Sequence, residues 1–274
     1  MKKSILQINQ PPWSDEDIIK DLENFKSIYN DRPIKDNKGG MLFSHMFYFY
    51  FVLKKINPEL VIESGVFKGQ STWLIEKTLP NSKIISIDLN LSKRKYISKN
   101  ATYSNIDFKF QKFSKIPKNS LVFFDDHVNH LDRIVYAKFF NIKHVIFEDN
   151  YSINNGDFQT IKQFYLKNKF NHKPGLMSLV KTFFKFGFLV TKKILNLNSE
   201  YKKELNLIND RIRDGHEEFE WMENIFNNVN CYYEFPPLFN VEDLDIDQIK
   251  KPLINKFNEE FKDNYNFFTY ICLN

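Results

Sequence analysis

Two short runs set acids where they could do chemistry. FFDDH, Phe123 to His127, and FEDN, Phe147 to Asn150, each carry an apolar stretch into a pair of carboxylates. A short apolar run that ends in polar residues reads as a buried strand, and neighbouring parallel strands release their carboxyl ends on one edge of a sheet. Asp125, Asp126, Glu148 and Asp149 then converge on that edge, where like charges repel strongly without a cation among them. Carboxylate oxygens with a neighbouring amide, Asn150, suit Mg²⁺ or another hard divalent ion better than zinc. His127 and His130 follow the first run, and the ordinary pKa of an imidazole suits a general base near neutral pH.

A third stretch, VIESGVFKGQSTW, Val61 to Trp73, has the form E-x-G-x-x-x-G. Glu63 closes an apolar run, Gly65 and Gly69 allow a tight turn and the close approach of a ligand, and Ser71 or Thr72 is placed to cap the helix that follows. The chain holds eight glycines in 274 residues, so a pair this close is informative. The spacing is neither that of a dinucleotide fingerprint nor that of a P-loop. The next apolar run, KIISIDL, reaches its own acid at Asp88, and a carboxylate there suits ribose hydroxyls through charge-assisted hydrogen bonds.

The elements that must position these residues alternate along the chain. A helix is expected over Leu42–Ile56, a first strand over Pro58–Ser64, a helix over Ser71–Thr78 and a second strand over Lys83–Leu89. The alternation of Ile106, Phe108 and Phe110 predicts a third strand over Ile106–Phe113. Leu121–His127 reads as the fourth strand, Leu131–Phe140 as a helix, His144–Asn150 as the fifth strand and Phe268–Asn274 as the last, with Tyr232–Phe239 pairing nearby. The pattern predicts an α/β fold, a Rossmann-like doubly wound and mostly parallel sheet, in which ligands bind outside the carboxyl ends of the strands. A single domain over 1–274 is expected, with an N-terminal extension at 1–41 and a helical insertion at 159–230 that forms a lid or an oligomer contact. Asp31 to Leu42, with Gly39 and Gly40 as a hinge, reads either as a flap over the ligand or as a plain linker.

The glycine turn followed by Asp88 resembles that of the class I S-adenosylmethionine-dependent methyltransferases. The resemblance implies that Glu63, Ser64, Gly65, Gly69, Gln70 and Ser71 surround the amino-acid part of the cofactor and that Asp88 holds its ribose. GVFKGQS taken with FEDN is most similar to the cephalosporin hydroxylase and macrocin O-methyltransferase group, which implies Mg²⁺ held by Asp125 from the fourth strand and by Glu148 and Asp149 from the fifth. Catechol-type relatives use an Asp-Asn pair there, corresponding to Asp149 and Asn150. The similarity covers about residues 40 to 160. Ser64 stands where the family carries an apolar residue, and the doubled Asp125-Asp126 leaves the ligand ambiguous by one position. His127, His130 and Asp126 are the catalytic candidates.

The expectation is a metal-dependent O-methyltransferase acting on a hydroxyl of a sugar or other small polyol, in surface-polysaccharide or natural-product biosynthesis. The alternatives are an enzyme of other chemistry on the same fold, of the cephalosporin hydroxylase type, and a non-catalytic nucleotide-binding protein, since fold does not fix chemistry. The formal charge of +5, from 39 basic and 34 acidic side chains, is dispersed and forms no basic stripe, which argues against a nucleic-acid partner. The partner is instead a small molecule or glycan, with a homo-oligomer contact expected through 159–230. Two cysteines, Cys231 and Cys272, suit a reducing cytoplasm, and the polar start of the chain has no export signal. Lys181 and Lys185 interrupt the apolar stretch from Gly175 to Val190, which falls short of the about 20 residues a membrane span needs and leaves at most a weak surface association.

Overall fold

The computed structural model describes residues 10–151, 156–163, 228–235 and 267–274. Helix α1 (Asp15–Asn30) opens on a capping box, in which the Ser14 hydroxyl accepts the Asp17 amide and the Asp17 carboxylate accepts the Ser14 amide. Two donors that a helix start leaves unmatched are thereby satisfied. Ile18, Leu22 and Phe25 recur at helical spacing and are buried, so this part of the expected extension is a layer of the fold. It covers α2 (Phe43–Ile56), whose residues from Phe43 to Leu53 are all buried. A helix that is apolar all round needs neighbours on every side.

Five strands run parallel: β1 (Leu60–Ser64), β2 (Lys83–Ile87), β3 (Ala101–Ser104), β4 (Ser120–Phe124) and β5 (His144–Asn150). Two more, β6 (Val229–Phe235) and β7 (Phe267–Leu273), join antiparallel, giving the order β3-β2-β1-β4-β5-β7-β6. Helix α3 (Gln70–Thr78) lies between β1 and β2 in the chain, and α4 (His130–Phe139) between β4 and β5. Alternate strand residues enter two cores. Val61, Leu121, Phe123 and Ile146 pack with α1, α2 and α3, while Ile62, Val122, Val145 and Phe147 pack with Leu131, Ile134 and Ala137 of α4. With both faces covered, β1 and β4 are buried along their whole length, which is why they read as continuous apolar runs. This is the expected doubly wound, mostly parallel sheet.

The chain adds strands on one side of β1 as far as β3 and then crosses to place β4 on the other side. The carboxyl ends of β1 and β4 therefore flank the switch point, where open α/β sheets bind their ligands.

Two expectations need correction. The third strand is Ala101–Ser104, and Phe108–Phe110 is a 3₁₀ turn whose N-cap, Asp107, accepts the Lys109 amide. The alternation misled because only Phe108 is buried there, while Ile106 is half exposed. Residues 229–230, placed in the insertion, belong to β6. The remainder of that insertion, from 164 to 227, and the apolar Gly175–Val190 stretch lie outside the described residues, as do 236–239 of the expected Tyr232–Phe239 strand. No helix of the described residues is long and apolar enough to cross a membrane.

Phe25 is fully buried against Phe43, Phe47 and Tyr50, so Phe25→Ala should lower the unfolding free energy by about 3–5 kcal/mol. Urea denaturation should show the midpoint falling with the slope unchanged.

Candidate active site at the sheet switch point

Gly65 leaves β1 with φ 100°, and a Cβ built there would stand 1.9 Å from the Asp125 carbonyl oxygen. The Asp125 amide donates to the Ser64 carbonyl at 2.8 Å, and the Gly65 amide to the Ile87 carbonyl at 2.8 Å. The space expected to admit a ligand at Gly65 is thus filled by the backbone of the β4 end. Gly69 has the same need, with φ 89° and the Tyr96 carbonyl 2.5 Å from a built Cβ. Its left-handed conformation starts α3 without a side-chain cap, so Ser71 and Thr72 are not capping residues. The turn between them is held by Asp88, whose Oδ2 accepts the Val66 and Phe67 amides at 2.9 Å each, while Oδ1 accepts the Asn90 amide at 2.8 Å. A carboxylate has about four acceptor positions, so Asp88 retains capacity for a further hydroxyl.

Glu63 lies beneath this turn and is fully buried. Its Oε2 accepts the hydroxyls of Thr72 at 2.6 Å and Ser86 at 2.7 Å, but Oε1 has no hydrogen-bond partner among the described residues. Burial holds its carboxyl above the ordinary value, and the hydroxyls of Ser71, Thr72 and Ser86 counter only part of that effect. Gln70 is also buried, with Oε1 unmatched and Nε2 3.7 Å from the Met46 sulfur. Unmatched buried acceptors are costly. Two of them beside one glycine turn mark a place suited to a donor-rich ligand.

The acids meet one strand away. Ligand atoms of Asp125, His127 and Asp149 lie within 4.8 Å of one another and line a small pocket with Phe124, His130 and Phe158. Among the described residues the Asp125 carboxylate receives no hydrogen bond and pairs with no cation. Burial, and then Glu148, Asp149 and Asp126, hold its carboxyl well above the ordinary carboxylate range.

The other predicted site residues form the frame. Asp126 pairs with Arg133 at 2.8 Å and accepts the Ser64 hydroxyl at 2.5 Å. Burial raises its pKa against the pull of Arg133. Asp125 and Asp126 both line the pocket, and Asp126 is the one that also pairs with Arg133. Arg133 is itself buried and makes a two-point contact with Asp107 at 2.9 and 3.0 Å. His130 is buried, stacked on Phe147 with ring centroids 3.7 Å apart, and its Nδ1 accepts the Ile161 amide. Burial drives its pKa well down, and with Nδ1 occupied by the Ile161 amide any further chemistry falls to its other ring nitrogen. Glu148 points to α2, where its Oε1 lies 2.5 Å from His45 Nδ1; burial and Asp149 raise its carboxyl well above the ordinary value. A register shift between Phe147 and Asn150 turns Asn150 toward the antiparallel strands. There its amide donates to Thr269 at 2.6 Å and Tyr232 at 3.0 Å, and its oxygen accepts the Lys162 amide at 2.9 Å. Ser64, Asp126, His130, Glu148 and Asn150 each have a protein partner, and Asp126 and His130 also line the pocket. Sequence reasoning missed Arg133 as the partner of Asp126, which no local pattern signals, and left His45 without its role, although a lone histidine in an apolar helix is a signal for one.

No protein-family model and no curated protein matches the chain. Solved structures do. The O-methyltransferase TomG from Streptomyces achromogenes, involved in tomaymycin synthesis and in complex with SAM, is 9% identical over 98% of this chain and 92% of its own, with a TM-score of 0.45. An SAH-bound methyltransferase from Podospora anserina is 8% identical over 98% and 91%, with a TM-score of 0.41. CmcI with SAH is 16% identical over 55% of this chain and 84% of its own, with a TM-score of 0.37. Likeness at these identities and scores does not extend to what this chain binds. The class of fold rests on the sheet itself, a Rossmann-like arrangement of the class I methyltransferase type.

The raised carboxyl of Glu63 carries a stability signature. A buried acid whose pKa is raised on folding contributes stability that is fully present below its ordinary 4.5 and is lost as pH rises through the folded value. Glu63→Gln should therefore be more stable than the parent near neutral pH, with the difference vanishing in acid. Thermal melts across that pH range measure it.

Proposed function

We propose that this chain is a metal-dependent S-adenosylmethionine O-methyltransferase acting on a hydroxyl of a sugar or other small polyol, in surface-polysaccharide or natural-product biosynthesis. The observation that carries the reading is the pair of buried, unmatched acceptors, Glu63 Oε1 and Gln70 Oε1, beside a glycine turn on the same sheet edge as Asp125 and Asp149. The ammonium of an amino-acid moiety brings three donors to such acceptors. Asp88, with its remaining acceptor capacity, suits a ribose hydroxyl.

When bound, the cofactor supplies an electrophilic methyl group on a sulfonium. Asp125 and Asp149 are the carboxylates that would hold a divalent cation, Mg²⁺ or another hard ion, whose chemistry is to orient a hydroxyl and lower its pKa. The chain's own contribution is positional. The contact of Gly65 with Asp125 keeps the cofactor turn and the acids a strand apart, and fixed in-line placement of reacting groups accounts for much of the rate in such transfers. Oxygen ligands favour an oxygen acceptor, and two adjacent hydroxyls chelate a hard ion where an amine gains little. The dispersed charge supports no backbone-tracking groove for nucleic acid.

Calorimetry should show cofactor or its demethylated product binding to the protein, with Gly65→Val abolishing it. Asp149→Ala should lose divalent-cation binding and keep the cofactor. Labelled methyl transfer to nucleotide sugars, glycosides, catechols and tRNA then identifies the acceptor. Methylation confined to tRNA or nitrogen acceptors would overturn the acceptor class, and absence of any heat with the cofactor would leave a protein of other function on this fold.

A further inference from the structure

We infer that His127 is the third ligand of the cation site and not its general base, with Asp157 the carboxylate that orients it, so that the site takes Mn²⁺ in preference to Mg²⁺. The inference rests on the cation reading above and assigns a residue and a metal preference that the reading leaves open.

The ring of His127 is brought to the acids by its backbone. Its φ is 54°, in the left-handed region where His, like Asn and Asp, is enriched among non-glycine residues. Nδ1 lies 3.3 Å from Asp157 Oδ2, and Nε2 is turned toward Asp149, 3.9 Å from its Oδ2. In the tautomer that donates from Nδ1 to Asp157, the Nε2 lone pair is presented on the side of Asp149, where it can ligate a cation. An imidazole held on one nitrogen by a carboxylate and presenting the other to a metal is a common arrangement at metal centres.

The remaining donors narrow the choice. Glu148 contacts His45, and Asn150 is engaged by Thr269, Tyr232 and the Lys162 amide, whereas the ligand atoms that gather together are those of Asp125, His127 and Asp149. Asp125 offers a carboxylate surrounded by Glu148, Asp149, Asp126 and Glu63 and by no hydrogen-bond donor among the described residues. The donor atoms of Asp125, His127 and Asp149 are within 4.8 Å of one another. Neighbouring ligands on one octahedral ion stand roughly 3 Å apart, a difference that small side-chain rotations close. Two carboxylates and one imidazole favour a cation that accepts nitrogen, and Mn²⁺ does so more readily than Mg²⁺.

The test uses the full chain without cofactor and Mn²⁺ alone. Titration followed by electron paramagnetic resonance should show stoichiometric binding, and pulsed measurements should show nitrogen hyperfine coupling from one imidazole. His127→Asn keeps a residue that tolerates the left-handed backbone. It should lose the coupling and about 10–100-fold in Mn²⁺ affinity, while Mg²⁺ affinity changes far less. Asp157→Asn should weaken Mn²⁺ binding by a smaller factor and retain the coupling. Mn²⁺ bound by the parent protein without nitrogen coupling would overturn the inference and leave a carboxylate-only cation site. Failure of the parent protein to bind Mn²⁺ or Mg²⁺, while calorimetry still detects the cofactor, would overturn both this inference and the cation part of the proposed function.

Discussion

The carbonyl of Asp125 occupies the space where any residue other than glycine at position 65 would carry its Cβ. That contact sets how closely the ends of β1 and β4 approach. The two strands are paired in register to Ser64 and Phe124, and immediately beyond them the backbones remain in touch, with no side chain to separate them. A turn that presents unmatched acceptors and a loop that presents acids therefore share one crevice. Separation by even a methyl group would shift the two sets of groups relative to each other, and close-packed interiors transmit such shifts.

Around this contact the structure distributes its acids by giving some of them partners. A carboxylate buried without a partner is costly, and removing one member of a buried pair leaves an uncompensated charge. Arg133 answers Asp126 and Asp107 from α4, and His45 answers Glu148 from α2. The helices on the two faces of the sheet thus each supply one acid with a partner. Asp125 and Asp149 stay turned toward it. The same logic explains why the apolar helices matter to the site: α1 keeps α2 buried, and α2 carries the histidine that fixes Glu148.

Glu63 shows the opposite choice. Its carboxyl sits in the core with one oxygen unmatched, an arrangement that costs stability in the free protein and is relieved by a ligand with donors. Binding sites commonly carry such a cost.

Much of this was legible in the sequence. The buried strands could be read because a sheet covered on both faces requires unbroken apolar runs, and the acids at their ends mark where those runs leave the core. The glycine turn was visible because so few other glycines compete for attention. The third strand was misplaced because Ile106, Phe108 and Phe110 alternate like a strand, whereas Asp107 caps a 3₁₀ turn and is drawn to Arg133. Local pattern reports which residues leave water, and nothing in it reports which distant residue each one meets. The sequence by itself determined the doubly wound sheet and the convergence of acids and glycines at its switch point, because periodicity and chain order suffice for both. Only the tertiary structure decided that Asp126 pairs with Arg133, that Asn150 turns to Thr269, and that Gly65 makes room for backbone, because each outcome depends on a partner brought from elsewhere in the chain by packing.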